Sequence, residues 1–311
     1  MRRTTHLGLS MFAVLALFAA TAASASAHPD QATHLMKVKQ AHNNKPQRGN
    51  NLAYRGGAIE PAAKVYVVYW GPQWATGFTT GGYSSAQAQA YVSAFFGGVG
   101  GSSWANSTTQ YCQGVATGTT QCGTAGIHPT NTANELGGTW TDTTAVPASP
   151  TQSQIANEAS RLAAHFGGVD TTANYMVFTP TGHSESGFGT VWCAYHSSSG
   201  NLSYSYMPYQ PDAGGSCGMN FVNASNNSFG NGYFDGFSIV GGHEYGETIT
   251  DPYPNSGWLD GRGAENGDKC AWISSGQGAA SNVALNSHNF AVQSLWSNAF
   301  NSGSGGCVLS Y

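Results

Sequence analysis

Charged side chains are scarce in this sequence. Asp, Glu, Lys and Arg make up 8% of its 311 residues, whereas roughly 25% is usual in globular proteins. The net charge is −4, and lysine and arginine do not gather into a basic patch. We therefore expect no nucleic-acid partner and no anionic membrane partner, because both require a concentrated positive surface.

Long apolar runs are almost as rare. One run extends from Leu7 to Ala23, with Arg2 and Arg3 before it and the A-x-A pattern of residues 25–27 after it. These features are typical of a secretory signal peptide over residues 1–27. No later run approaches the ~18 apolar residues of a membrane span. The sequence predicts a secreted protein whose mature form has no membrane segment.

Six cysteines in an exported chain predict three disulfide bonds, since buried thiols are uncommon outside the cytoplasm. The sequence alone cannot choose among the possible pairings, so we assume that sequence neighbours pair. The predicted bonds are Cys112–Cys122, Cys193–Cys217 and Cys270–Cys307.

The predicted mature chain divides into a leader and one domain. Residues 28–57 are polar, hold five of the 11 Lys and Arg residues and show little apolar periodicity. They are interpreted as a flexible leader or a short pro-segment. Residues 58–311 show no linker or repeat, and their length suits a single large domain. Gly, Ser and Thr are plentiful between residues 97 and 150, which predicts a long irregular insertion.

Apolar patterning predicts an α+β domain. Apolar residues recur at helical spacing in two segments, while continuous or paired β-branched and aromatic runs predict strands. The predicted helices are 84–96 and 151–166, and the predicted strands are 64–71, 175–178, 190–196 and 202–207, the last two forming a hairpin.

One further predicted helix carries the residues that most clearly indicate a metal site. It is predicted to end at Pro252, because the residue before a proline is disfavoured in the α conformation. His243 and Glu247 are four residues apart on it, so both project from one face and can bind the same ion. The motif differs by one residue from the H-E-x-x-H of zinc proteases, and carboxylate oxygen is an accepted zinc ligand. In that motif the intervening glutamate, here Glu244, is the general base. A helix with a few surface acids is the alternative interpretation of an isolated H-E-x-x-E.

A zinc site needs a third protein ligand, and the sequence offers several. We predict Glu265, which can reach an ion across a groove, with Asp268 holding the second ring nitrogen of His243. Asp251 is an alternative ligand, although we favour a role in capping the turn at Pro252. His196 lies on a predicted strand and is a further alternative, as a ligand or a hydrogen-bond donor.

The predicted order of elements is that of a zincin-like core with a mixed sheet and an active-site helix. In that architecture an edge strand before the helix offers its backbone to an extended peptide. We expect residues 190–196 to be that edge strand.

Several segments resemble the plant Exordium, or phosphate-induced, proteins and their bacterial secreted relatives. The resemblance covers most of the predicted mature chain and implies a secreted or cell-wall-associated protein. It bears more on location and site than on a reaction. The segments are Val65–Gly71, Phe95–Ser102, Cys193–His196, His243–Pro252 and Glu265–Cys270.

Together these features predict a secreted metal-dependent peptidase that acts on extracellular protein or peptide through one divalent ion. Zinc is the first choice of ion, with calcium or manganese as alternatives because carboxylates dominate the predicted ligands. A second hypothesis is a non-enzymatic cell-wall or polysaccharide-binding protein with a structural ion, which the aromatic-rich composition would suit. A third is a glycan hydrolase that uses Glu244 and Glu265 as paired carboxylates.

Overall fold

The computed structural model describes Met1 and residues 32–39, 50–224 and 232–311. Apart from Met1, the predicted signal peptide lies outside the described residues. Residues Gln31–Tyr311 form one unit, and the account below concerns that unit.

The strands range from two to eight residues in length. They are β1 (Thr33–Lys37), β2 (Ala53–Tyr54), β3 (Lys64–Trp70), β4 (Thr79–Thr80), β5 (Tyr83–Ser84), β6 (Leu136–Asp142), β7 (Ala173–Phe178), β8 (Trp192–Ser199), β9 (Leu202–Met207), β10 (Trp258–Leu259), β11 (Ser281–Leu285), β12 (His288–Val292), β13 (Leu295–Ser297) and β14 (Gly306–Val308).

Among the described residues, three helices exceed ten residues and the others have eight or fewer. The α-helices are α1 (Pro72–Thr76), α2 (Ser85–Val99), α3 (Gln152–His165), α4 (Asp235–Thr250) and α5 (Phe300–Gly303), and the 3₁₀ helices are Ala105–Gln110, Gln210–Cys217, Gly232–Phe234 and Asp268–Cys270.

A mixed six-stranded sheet with the order β1-β8-β9-β7-β3-β6 forms the centre of the fold. Strands β9, β7, β3 and β6 run parallel, β8 is antiparallel to β9, and β1 is antiparallel to β8. Side chains alternate between the two faces, as strand geometry requires. In β3, Val67 packs in the core shared with α2 and α4, while Val68 packs in the core shared with α3. The predicted α+β class with a mixed sheet is confirmed.

The sequence also predicted where two of the long helices begin. Ser84 caps α2 and Thr151 caps α3, each accepting a hydrogen bond from the backbone N–H three residues on. In both helices the third residue is a glutamine whose side chain bonds back to the cap, which completes a capping box. These caps satisfy N–H groups that have no partner inside the helix.

Helix α4 is buried along its whole length. Glycines allow this, because a side chain at several positions would collide with the neighbouring layer. A Cβ at Gly246 would lie 2.9 Å from Leu295, and one at Gly242 would lie 3.1 Å from Trp104. The sheet covers one side of the helix and β12 lies against another. The side chains of α4 are therefore enclosed by the surrounding elements.

The cysteines pair as predicted, in the bonds Cys112–Cys122, Cys193–Cys217 and Cys270–Cys307. The second bond joins β8 to the 3₁₀ helix that follows β9. The third joins the segment that contains Glu265 and Asp268 to β14. In the described part of the chain, every helix falls short of the length and apolarity required to cross a bilayer.

The prediction that residues 190–196 form an edge strand is wrong. Strand β8 is an inner strand, because residues of the predicted leader form β1 and pair with it over five positions. Their alternation explains why: Met36 is fully buried in the core around α4, and Leu35 packs on the opposite face. Residues 53–54 of the same leader pair with β10. Two segments of residues 28–57 are thus built into the fold.

Asp251 caps the turn after α4, the role that we favoured for it. Its side chain is fully buried and accepts hydrogen bonds from the backbone N–H groups of Asn255, Ser256 and Gly257, at 2.7–3.1 Å. The Ser256 hydroxyl donates to it as well. These hydrogen bonds engage both carboxylate oxygens of Asp251.

We expect Asp251→Ala to lower the free energy of unfolding by roughly 2–4 kcal/mol, because it leaves buried N–H groups without an acceptor. Denaturant unfolding measures this loss. The control is Asp212→Ala, an exposed carboxylate that accepts bonds from Thr181 and Gly182; its cost should be about 1 kcal/mol or less. Loss of bound metal on Asp251→Ala at unchanged stability would contradict the capping role.

Candidate metal centre

Four parts of the chain meet and form a cluster of ionisable side chains, here called the His-carboxylate cluster. Helix α4, strand β8, the segment around residues 265–268 and strand β1 all contribute. The members are His34, His196, His243, Glu244, Glu247, Glu265 and Asp268. Five side chains are wholly buried, whereas His34 is 16% and Asp268 22% exposed.

Helical spacing brings the first pair together, as predicted. His243 Nε2 lies 3.0 Å from Glu247 Oε1. The ring of His196 enters from β8, with Nδ1 3.3 Å from Glu244 and 3.5 Å from Glu247. Its other nitrogen, Nε2, lies 3.5 Å from Glu265. His196 therefore stands at the centre of the cluster, between groups from two different segments.

The segment that contains Glu265 is fixed against α4 by its own backbone and by Asn266. The Asn266 amide donates to the Gly246 carbonyl at 2.7 Å and to the Thr250 hydroxyl at 3.0 Å. At Gly267 a Cβ would lie 2.8 Å from His243 Nδ1 and 2.9 Å from Glu247 Oε1. Only glycine fits there, because the α4 side chains occupy the space that any larger residue would take.

His34 of β1 completes the cluster. Its Nδ1 lies 2.8 Å from Glu265 Oε2, 3.6 Å from Glu247 Oε2 and 3.5 Å from Asp268 Oδ2. Its Nε2 lies 3.1 Å from the Gly263 carbonyl. A carbonyl only accepts hydrogen bonds, so Nε2 carries a proton and Nδ1 faces the carboxylates, to which it donates when protonated.

The orientation of His243 is fixed in the same way, by Gln293. The Gln293 amide nitrogen donates to the carbonyls of Gly267 and Ser294, so its oxygen faces His243 Nδ1 at 3.2 Å. His243 then donates from Nδ1 and directs Nε2 at Glu247. The sequence predicts Asp268 in this orienting role. Asp268 instead lies on the Nε2 side, 3.9 Å away, because Gln293 already occupies the Nδ1 side.

Several buried nitrogen and oxygen atoms in the cluster are close together without hydrogen-bond geometry. Buried polar atoms are normally paired, so such a concentration suggests lone pairs that converge on a common point. The atoms are His34 Nδ1, His196 Nε2, His243 Nε2, Glu244 Oε1, Glu247 Oε2 and both side-chain oxygens of Glu265.

The pKa shifts show that the carboxylates of the cluster favour the positively charged form of the histidines. Burial by itself would lower the pKa of His34, but Glu265 and Glu247 raise it to about 12. Burial likewise opposes the charge on His243, and Glu247 raises its pKa to about 9. Burial raises the pKa of Glu265, while the pKa of Glu247 is lowered well below its usual value against the effect of burial, mainly by His243. The carboxylates thus need a cation, either protonated imidazole or a metal ion.

The donor set fits a divalent ion. Two ligands about 2.0–2.1 Å from a tetrahedral zinc are about 3.3 Å apart, close to the 2.8–3.6 Å spacings between His34 Nδ1 and its three carboxylate neighbours. Two groups have ligand atoms within 4.8 Å of one another and share Glu247: His34, Glu247, Glu265 and Asp268, and His196, Glu244 and Glu247. Cys112 and Cys122 lie near His128, but their disulfide leaves no thiolate to bind metal.

The sequence-predicted residues are thus partly brought together. The structure places His243, Glu244, Glu247, Glu265, Asp268 and His196 in one cluster and Asp251 outside it. Sequence reasoning missed His34 and Gln293. The alternation of Thr33 to Met36 was a signal for a strand, which the polar surroundings of the leader obscured. Gln293 had no signal, since its role depends on a contact 50 residues away in sequence.

Comparisons with protein-family models, with curated proteins and with solved structures found no match to this chain.

Proposed function

We propose that this protein is a metal-dependent hydrolase, specifically a peptidase with a zincin-like core. The observation that carries the proposal is the convergence of imidazole nitrogen and carboxylate oxygen atoms around Glu247, next to a second glutamate, Glu244, on the same buried helix. Export, inferred from the predicted signal peptide, and kinship with the Exordium proteins are part of the same proposal. Both rest on the sequence patterns.

Zinc is the ion that the donor set suits best. Three imidazoles reach the cluster, whereas the sequence prediction included only His243 as a first-choice histidine ligand. Calcium prefers oxygen ligands, while imidazole nitrogen suits zinc. Glu247 and Glu265 would bind through carboxylate oxygen, and His243 and His196 would offer nitrogen. When bound, the ion would polarise a scissile carbonyl and lower the pKa of water.

The residues of the chain have distinct roles in this reaction. Glu244 has one unpaired oxygen, Oε1, and its Oε2 lies 3.3 Å from His196 Nδ1. Glu244 Oε1 would take the proton from the attacking water, and His196 would hold the carboxylate in place. Gln293 keeps His243 in the required tautomer. Burial of the cluster excludes bulk water and strengthens each electrostatic contact.

The glycan-hydrolase hypothesis is less well supported. It needs open space for a sugar and a water between Glu244 and Glu265. The His196 ring contacts both carboxylates and lies between them, with all three side chains fully buried. The non-enzymatic hypothesis, a wall protein with a structural ion, requires the same metal and differs only in the lack of turnover.

We expect the purified protein to bind about one zinc ion, and Glu247→Gln to weaken zinc affinity by more than 100-fold. Glu247 belongs to both groups of potential ligands, and the loss of a ligand should exceed the ~10–100-fold effect of an outer contact. Elemental analysis and competition with a chromogenic chelator measure stoichiometry and affinity.

The matched control is Glu158→Gln on α3. Burial and Asp142 raise the pKa of Glu158 to about 8, so it is mostly protonated at neutral pH and an amide replaces it with little change. Its zinc affinity should equal that of the wild type. Equal affinity in Glu247→Gln would remove Glu247 from the site.

For the reaction itself, Glu244→Gln should retain zinc and fold but lower turnover of an unstructured protein such as casein by ~10²-fold or more, because an amide cannot accept a proton. Glu158→Gln again serves as the control. Stoichiometric zinc without casein hydrolysis in the wild type and in every variant would favour the non-enzymatic hypothesis. Full activity in Glu244→Gln would reject this glutamate as the base.

A further inference from the structure

Strand β1 occupies the place that an extended peptide would take beside β8. The two strands are antiparallel, with Thr33 opposite Ser197 and His34 opposite His196. Beyond the strand, Val38 N donates to Val191 O at 3.1 Å, and Lys39 N donates to Ser216 O at 2.9 Å. Without β1, the backbone of β8 would be an open sheet edge above α4. Such an edge is a general binding site for extended peptides.

The side chains of β1 also fill positions that a bound peptide would fill. His34 and Met36 point to the α4 face, and Leu35 points to the α3 face. Met36 is fully buried in the main core. His34 places its imidazole among Glu247, Glu265 and Asp268, so β1 fills both the backbone site and the reactive centre.

Strand β1 comes from a part of the sequence that precedes the predicted domain. The strand belongs to residues 28–57, which the sequence sets apart as a leader or pro-segment. The sequence predicts that the domain begins at residue 58. A segment outside the predicted domain therefore supplies the strand that covers β8 and the histidine that enters the cluster.

We propose that β1 is an autoinhibitory strand that competes with the substrate for its binding site. Leu35 and Met36 hold the strand on β8, and His34 occupies the cluster. The proposal rests on the proposed peptidase function. It also defines the substrate class: an extended peptide with a side chain small enough, or polar enough, to lie at the cluster and an apolar side chain two residues later, where Met36 lies. Entry is from the groove of about 490 Å³ that β1 shares with residues 262–264, Asp268, Ala271 and Trp272.

Peptide binding tests this without requiring catalysis. The probe is a fluorescein-labelled synthetic peptide of residues 31–39, and fluorescence anisotropy gives its Kd for the full-length chain. Met36→Asp places a charge in the core and should release β1, so the peptide should bind at least tenfold more tightly than to the wild type, where the site is already filled. A version of the peptide with His34→Ala should bind more weakly.

Ile127→Asp is the matched control, because Ile127 is an apolar side chain that is 54% exposed, so the same chemical change there should leave peptide affinity as in the wild type. Equal peptide affinity in wild-type and folded Met36→Asp protein would overturn the proposal. Thermal unfolding establishes that Met36→Asp is folded.

His34→Ala provides a second test that keeps the strand backbone in place. We expect it to retain zinc through the remaining ligands and to hydrolyse casein several-fold faster than the wild type. Loss of zinc together with loss of activity would identify His34 as a permanent ligand and overturn the autoinhibitory role. Tighter peptide binding by Met36→Asp with no hydrolysis by any variant would support the strand's role while rejecting the peptidase function.

Discussion

The fold depends on the placement of four carboxylates within a few ångströms of one another and almost entirely out of water. Like charges at such distances in a protein interior repel strongly, so the arrangement exists only where positive charge is brought to it. His34, His196 and His243 supply that charge or the nitrogen ligands for a metal ion. Each comes from a different element, so the need for compensation links β1, β8 and α4 to the segment around residue 265.

The need for compensating positive charge explains features that would otherwise destabilise the fold. Helix α4 is wholly buried, although His243, Glu244 and Glu247 lie on it. Burial of ionisable groups usually destabilises a fold unless each has a partner. Gln293, Asn266 and the glycines of α4 and residue 267 serve this purpose, because they orient the side chains or leave them room. The geometry of the cluster therefore depends on these neighbouring residues as well as on its own members.

Much of this was predictable because it is local. Periodicity predicted α2 and α3, Pro252 predicted the end of α4, and four-residue spacing predicted the His243–Glu247 pair. The edge of the sheet was not predictable. It depends on whether five residues, separated from β8 by more than 150 positions, bury Met36 and Leu35 in two different cores. Gln293 was missed for a similar reason, since a glutamine has no sequence pattern that marks it as the partner of a histidine.

The Cys270–Cys307 bond has a consequence for how firmly the cluster is held. It is the covalent link between the C-terminal strand β14 and the segment from which Glu265 and Asp268 extend. Reduction of this bond would therefore leave the loop that carries two of the four clustered carboxylates attached to the fold only through its main chain and non-covalent contacts. The hydrogen bonds of the six-stranded sheet would not be touched.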